Sequence, residues 1–332
     1  MTTSAIKLSI LDLCSVTEDA TPADALHNAL ALAKLAETQG YNRFWVAEHH
    51  NMTGIASAAT SVVMGYLAAG TNNIRIGSGG IMLPNHAPLQ IAEQFGTLES
   101  LYPGRIDLGL GRAPGTDQST AQALRRGRTD GEDFPLMLDE LRKLFATPTP
   151  EQRLRAVPGA GLNVPIWLLG SSTFSAQLAG RLGLPFAFAG QFSPDYLFSA
   201  LRLYREHFTA SEQLAEPYAM LGINAYLADD REQAHYLATS HQQAFLNLIR
   251  GRPGQMPAPT HDMESLWQPH ERHQVMSTLS GSLIGDPEAA GEQMEQLLER
   301  TGVNELIVNS PIFDQQARQH SYELLMQLNQ QR

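Results

Sequence analysis

The stretch Phe44-Trp45-Val46-Ala47-Glu48-His49-His50-Asn51 predicts a short apolar strand that ends in polar side chains. Four apolar residues are followed at once by an acid, two imidazoles and an amide. Parallel α/β proteins place their chemistry at the carboxyl ends of buried strands in this way. A structural histidine cluster is the simpler alternative, but several other strand ends carry loops of similar character. The stretch therefore predicts an α/β fold with a site at this strand end.

The same strand-then-helix pattern repeats along the chain. Apolar runs predict eight strands, at 8–13, 44–47, 74–83, 106–110, 165–169, 185–189, 218–227 and 305–308. Apolar residues at helical spacing predict helices between them, as between Thr21-Pro22 and Gly40, where an N-cap, an N-terminal proline and a C-terminal glycine mark the ends. Eight alternating units favour a closed (β/α)8 TIM barrel, with an open two-domain doubly wound sheet as the alternative.

The chain is longer than such a barrel requires. About 250 residues suffice, and 332 are present, so the surplus fits long insertions after strands four and seven. The second insertion, 251–285, is predicted to lie over the barrel mouth as a mobile lid, with a static covering loop as the alternative. It carries Trp267, His261, His270 and His273. We expect residues 1–332 to form one barrel domain.

Composition excludes several classes of function. The chain has 23 basic and 34 acidic residues, a formal charge of −11, which argues against nucleic acid or an anionic membrane as the main partner. Cys14 is the single cysteine, so an internal disulfide is excluded and a reducing cytoplasm is expected.

No signal peptide is evident. The long uncharged run 53–75 is rich in small residues and predicts a loop and a packed helix rather than a membrane span.

Two further strand ends suggest a bound ligand. Gly79 and Gly80 interrupt strand three, which indicates either a barrel-corner bulge or the close approach of a flat ligand to the backbone. The turn Gly170-Ser171-Ser172 precedes a helix, whose N-terminus favours anions; a simple serine cap is the alternative. Arg112, after strand four, can bind the same phosphate, or instead pair with a neighbouring aspartate, Asp107 or Asp117.

A metal site is the competing hypothesis for the cluster at strand two. Asp12, Glu48, His49 and His50 are ligand types that barrel hydrolases use. Adjacent histidines on an extended strand point to opposite faces, however, and no second histidine pair follows a later strand, so no metal is predicted. Cys14 has no base placed by spacing, and no Rossmann fingerprint is present.

Five motifs, in their order and spacing, resemble those of the bacterial luciferase-like flavin-dependent monooxygenases. They are Trp45-Val46-Ala47-Glu48-His49-His50, residues 79–88, Ala92-Glu93-Gln94, residues 103–112 and Leu169-Gly170-Ser171-Ser172. The resemblance covers nearly the whole chain. It is greatest to single-chain bacterial members rather than to the light-emitting subunits.

The resemblance implies a function. Members of the family are (β/α)8 barrels that bind reduced FMN at the carboxyl-terminal mouth and use O₂ to oxidise an organic substrate. It also implies a homodimer and a separate flavin reductase that draws on NAD(P)H. An F420-dependent enzyme of the same fold, a flavin-binding protein without turnover and a metal-dependent hydrolase are the alternatives.

The resemblance also assigns site residues. His49 matches the active-site histidine, which helps to stabilise the oxygenated flavin. Gly79 and Gly80 match the small pair that lies against the isoalloxazine ring, often through a cis peptide, and Arg112 matches a phosphate-binding arginine. The remaining predicted cofactor-binding residues are Glu48, Gly170, Ser171, Ser172 and Ser175.

Two positions depart from the family pattern. The light-emitting subunits have an acidic residue where Gly170 stands. A second phosphate-binding arginine has three competing counterparts, Arg125, Arg126 and Arg128.

Overall fold

The structure, a computed structural model, describes residues 5–113, 117–125 and 131–332, except for the side chain of Arg125. Its strands are β1 (Lys7–Asp12), β2 (Arg43–Val46), β3 (Arg75–Ser78), β4 (Ile81–Met82), β5 (Ile106–Gly111), β6 (Ile166–Gly170), β7 (Phe186–Phe188), β8 (Ala219–Leu227), β9 (Leu283–Gly285) and β10 (Glu305–Asn309). Its α-helices are α1 (Pro22–Gln39), α2 (Thr60–Ala69), α3 (Pro88–Leu101), α4 (Gln118–Arg125), α5 (Phe134–Phe145), α6 (Thr173–Leu182), α7 (Leu197–Glu206), α8 (Arg231–Ile249), α9 (Pro269–Thr278), α10 (Pro287–Thr301) and α11 (Gln315–Gln330).

Eight parallel strand positions close into a barrel. The ring closes because β10 pairs with β1 on one side and with β8 on the other. The third position is shared by β3 and β4, which both pair with β5. The register places Ile10 beside Phe44 on β2 and beside Val308 on β10. The predicted (β/α)8 barrel is confirmed, and the open doubly wound alternative is wrong.

Strand three is interrupted at Gly79-Gly80, as the two glycines predicted. At this point β5 runs so close that a Cβ on Gly80 would lie 2.8 Å from the Gly109 carbonyl oxygen. Helix α2 begins at Thr60. The insertion 251–285 contains helix α9 and strand β9; α9 is started by Pro269 and by a capping box between Gln268 and Glu271.

The apolar residues form two layers. Strand β2 shows how they arise, because Phe44 and Val46 belong to the large cluster between barrel and helices, whereas Trp45 packs inside the barrel. Alternate residues of a strand point to opposite faces. The inner cluster also contains Leu11, Ala47, Trp167, Ala187, Met220 and Ile307. Within the described residues, no helix is long and apolar enough to cross a membrane.

Charged residues fill the amino-terminal end of the barrel interior. The guanidinium of Arg43 on β2 lies 2.6 Å from Asp107 on β5 and 2.8 Å from Glu305 on β10. Arg75 on β3 lies 2.6 Å from the other oxygen of Asp107. We call Arg43, Arg75, Asp107 and Glu305 the barrel plug. It closes the end opposite the strand termini that carry the predicted site.

Candidate active site

The carboxyl ends of the barrel strands open into a cavity of about 540 Å³. Its wall is mostly apolar, with few polar groups, which is typical of a small-molecule site. The cavity brings together every site residue predicted from the sequence except one, Glu48. Those that line it are His49, Gly79, Gly80, Arg112, Gly170, Ser171, Ser172 and Ser175.

One wall of the cavity is made of backbone. The Gly79–Gly80 peptide bond is cis, the arrangement that the family resemblance implied. A Cβ on Gly79 would lie 2.6 Å from Leu11 Cδ1, and a Cβ on Gly80 would lie 2.8 Å from the carbonyl oxygen of Gly109. Because no side chain projects from these residues, a flat ligand can contact the peptide plane directly.

A second part of the cavity gathers hydrogen-bond donors for an anion. Ser172 is the N-cap residue of α6, and its side chain makes no capping hydrogen bond. The hydroxyls of Ser171, Ser172 and Ser175 have no hydrogen-bond partner among the described residues, and all three line the cavity. The positive end of the α6 dipole adds to their effect. A phosphate group would satisfy these donors.

Arg112 adds a positive charge to the same cavity. Its guanidinium carbon lies 4.4 Å from the ring centre of Phe174, in the first turn of α6. The two carboxylates considered as its partners bond elsewhere. Asp107 belongs to the barrel plug, and Asp117 accepts hydrogen bonds from Asn51 and Thr120. Arg112 lines the cavity, and within the described ranges it forms no ion pair.

The second phosphate-binding arginine stays a prediction. Arg126 and Arg128 lie outside the described residues, as does the side chain of Arg125.

Glu48 lies behind the cavity wall rather than in it. Its buried carboxylate contacts His50 Nε2 at 2.8 Å and His86 Nε2 at 2.9 Å. The N–H of Met82 on β4 donates to the other carboxylate oxygen at 3.0 Å. Glu48 thereby ties the end of β2 to the end of β4, next to the glycine wall. This makes it a positioning residue in the geometry observed.

The adjacent histidines diverge, as the extended backbone predicted. His49 lines the cavity, and His50 contacts Glu48. The ligand atoms of Glu48, His50 and His86 lie within 4.8 Å of one another, a spacing that a metal ion can bridge. Direct hydrogen bonds already account for these contacts. His86 was not predicted as a site residue, because its contact with Glu48 joins residues 38 positions apart in the chain.

The charge of Glu48 is stabilised in the folded state. Burial alone would raise the pKa of Glu48, but the hydrogen bonds from His50 and His86, the charge of His86 and the Met82 N–H outweigh it. The net effect lowers the pKa of Glu48 to about 2. The carboxylate is therefore ionised across the physiological range.

The remaining wall comes from helix α8 and from the start of the second insertion. His241, Ala244, Phe245 and Leu248 line the cavity from α8. None of these residues was predicted, because they lie on a helix rather than at a strand end. Helical spacing of 0, 3, 4 and 7 residues was the available signal.

The second insertion has two parts with different surroundings. Pro253, Gly254 and Met256 line the cavity, and the N–H of Met256 donates to the carbonyl of Val16 at 2.8 Å. Farther along, Trp267 packs in an apolar cluster with Leu246 of α8. The insertion thus reaches the mouth with its first residues, and its mobility as a lid stays a prediction.

Comparisons with known proteins agree along the whole chain. The family model described as luciferase-like monooxygenase matches residues 6–305. The chain is similar to a protein named luciferase-like monooxygenase from Escherichia coli (strain K12), with 53% identity over 332 residues, covering 100% of this chain and 99% of that one. It is 35% identical to the N-acetyl-S-alkylcysteine monooxygenase of Bacillus subtilis (strain 168) over 330 residues, covering 96% and 97%.

A solved structure shows the same architecture. The crystal structure of apo-MsnO8 superposes with a TM-score of 0.86 at 32% sequence identity, covering 97% of this chain and 98% of that one.

Replacing Glu48 by glutamine tests the carboxylate's role. A folded-state pKa of about 2, below the ordinary 4.5, contributes stability that is present above pH 4.5 and is lost as the pH falls towards 2. We expect Glu48→Gln to lower the free energy of unfolding by about 3 kcal/mol at pH 7. The difference from the wild type should shrink between pH 5 and pH 3 in denaturant titrations.

The exposed Glu295→Gln variant is the control and should leave the free energy of unfolding at pH 7 nearly unchanged. If Glu48→Gln lowers the free energy of unfolding as much at pH 3 as at pH 7, the stabilising role of the ionised carboxylate is contradicted.

Proposed function

The chain belongs to the luciferase-like monooxygenase family, and from that premise we propose that it uses reduced FMN and O₂ to oxidise an organic substrate. One observation carries the choice of a flavin-type cofactor. A side-chain-free peptide wall and a cluster of phosphate-binding donors with Arg112 line the same cavity. These two features match the flat ring and the phosphate of FMN.

The residues present fit the cofactor. The glycine wall accepts the isoalloxazine ring, and Arg112 with the α6 serines accepts the phosphate. When bound, reduced FMN supplies the electrons that activate O₂. The protein binds and orients the ring, and its apolar walls exclude water. His49, at the end of β2, is placed to hold or move a proton beside the ring.

The source of reduced FMN is proposed to be a separate flavin reductase that uses NAD(P)H. The motivation is that the sequence contains no Rossmann-type fingerprint for a nicotinamide cofactor. The oxygenase and the reductase would then share FMN by diffusion. A reversible FMN site formed by one arginine and several neutral donors suits such an exchange.

We also propose a homodimer, because apolar side chains are exposed on two adjacent helices. Val62 and Tyr66 on α2 are 72% and 39% exposed, and Leu101 at the end of α3 is 64% exposed. The Tyr102 hydroxyl donates to the Gly65 carbonyl at 3.4 Å, which places the end of α3 beside α2. Contiguous exposed apolar surface of this kind marks interfaces.

The phosphate assignment predicts a selective effect of Arg112→Ala. Hydrogen bonds to charged groups contribute about 1.5–3 kcal/mol, so FMN affinity should fall about tenfold or more. Riboflavin, which lacks the phosphate, should bind as before. Equilibrium dialysis with both ligands, and with F420 alongside, measures the three affinities.

Arg181→Ala, at the far end of α6, is the matched control and should leave FMN binding unchanged. Equal weakening of FMN and riboflavin would place Arg112 away from the phosphate. If the wild type does not bind oxidised or reduced FMN below millimolar concentration, the proposed cofactor is wrong.

His49→Ala should separate binding from turnover. FMN affinity should change little, whereas coupled oxidation should fall about 10²–10⁴-fold, the usual contribution of a positioned acid or base. More of the O₂ consumed should then appear as hydrogen peroxide. The assay combines a flavin reductase, FMN, NADH and whichever aldehyde, sulfonate or aromatic compound stimulates O₂ uptake by the wild type.

The exposed His235→Ala variant serves as the control. A folded His49→Ala protein with wild-type coupling would show that His49 is structural.

The dimer proposal predicts that Val62→Asp yields monomers. Placing a charge in an apolar interface costs several kcal/mol unless it is paired. Light scattering at micromolar concentration should give about twice 36.3 kDa for the wild type and about 36.3 kDa for the variant. Leu136→Asp, at a site on α5 that is 75% exposed, should leave the dimer intact. A monomeric wild type would exclude the dimer.

A further inference from the structure

A tyrosine–histidine pair borders the cavity on the side formed by α8. His241 begins the cavity-lining face of that helix, which continues through Ala244, Phe245 and Leu248. Among the described residues of this wall, His241 is the one with a titratable side chain. Behind it, Tyr226 on β8 is 2% exposed, and its hydroxyl forms a short hydrogen bond with His241 Nδ1. The pair is absent from the family motifs in the sequence analysis.

The direction of this hydrogen bond follows from the surroundings of Tyr226. Within the described residues, its hydroxyl has no partner except His241 Nδ1. A buried hydroxyl proton without an acceptor is costly, so the hydroxyl donates and Nδ1 accepts. The neutral imidazole then carries its own proton on Nε2. Burial lowers the pKa of His241 to about 4, which agrees with a neutral ring at pH 7.

The Nε2–H group is a hydrogen-bond donor on the cavity side. No described residue accepts a hydrogen bond from it, and the ring itself lines the cavity. A molecule in the cavity is the acceptor that this position can serve. The tyrosine fixes which nitrogen carries the proton, so the donor is ready before a ligand arrives.

We propose that His241, held by Tyr226, is a substrate-binding residue whose Nε2–H donates to an uncharged oxygen of an otherwise apolar substrate. This inference rests on the proposed monooxygenase function, because only that function makes the bound molecule a substrate. A neutral aldehyde or ketone is the class of compound that fits best.

The rest of the wall supports this class. Phe245, Leu248, Pro253 and Met256 surround the cavity with apolar groups near His241 in sequence. No described carboxylate lines the cavity, so a cationic substrate has no partner there. An anionic substrate would compete for Arg112 and the α6 serines. An uncharged compound with one acceptor oxygen satisfies His241 and leaves the apolar wall in contact with carbon atoms.

A pair of probes that differ in one oxygen tests the proposal. Acetophenone carries a carbonyl oxygen, and ethylbenzene has nearly the same shape without it. Equilibrium dialysis should show the wild type preferring acetophenone about two- to tenfold, after correction for partition into water, as expected for one neutral hydrogen bond. His241→Leu should abolish that preference while ethylbenzene affinity stays within twofold.

Two further variants keep the test specific. His241→Gln retains an N–H donor and should restore part of the preference, whereas Phe245→Leu should weaken both probes alike. In ¹⁵N NMR of the wild type, the proton should reside on Nε2 of His241, and Tyr226→Phe should shift the ring towards a mixture of tautomers. The acetophenone preference would not change in the His241 variants if His241 were only a packing residue, whereas the NMR measurement tests the tautomer that Tyr226 sets.

The outcomes separate this inference from the proposed function. If FMN binds but His241→Leu keeps the acetophenone preference, or if neither probe binds the wild type at millimolar concentration, the inference is wrong and the FMN proposal stands. If the preference follows residue 241 but FMN does not bind, the hydrogen-bonding subsite stands and the cofactor proposal is wrong.

Discussion

The ion pairs of the barrel plug are the constraint on which the site depends. Arg43 joins Asp107 and Glu305, three residues whose strands are separated along the chain but meet inside the barrel. Burying these charges is favourable only if every group is paired. Asp107 also accepts from Arg75 and from the Trp45 indole N–H, while Glu305 accepts from the Tyr218 hydroxyl. The plug therefore fixes how β2, β5 and β10 sit relative to one another, and their opposite ends surround the cavity.

Local signals account for the part of the fold that the sequence predicted well. The capping box at Thr21 and the left-handed Gly40 bound α1 as expected, because each acts within a few residues of itself. The glycines and serines at strand ends were also predicted correctly as cavity residues, because they too are local sequence signals. The Glu48–His86 contact joins residues 38 positions apart, and Arg43 and Glu305 are 262 apart. No local pattern encodes such pairs. His241 was missed because it lies on a helix rather than at a strand end.

Three consecutive residues show how one extended segment serves two tasks. Glu48 and His50 point away from the cavity and are bonded to each other, whereas His49 lies at the cavity. Successive side chains of an extended chain point to opposite faces, and this alternation is enough to produce the division. The fully buried Glu48 holds the end of β2 beside β4. Binding the carboxylate behind the wall also leaves the cavity without a negative charge that would repel a phosphate.

The glycine wall has a consequence for how such a protein diverges. Each change of amino acid at residue 80 adds at least a Cβ, which would lie 2.8 Å from a backbone oxygen that cannot move aside easily. A surface built from peptide groups therefore tolerates almost no amino-acid substitution. The α8 face, by contrast, consists of side chains, each of which a single codon can exchange. Within a lineage, the proposed substrate-binding face can therefore change while the proposed cofactor-binding wall is inherited unchanged.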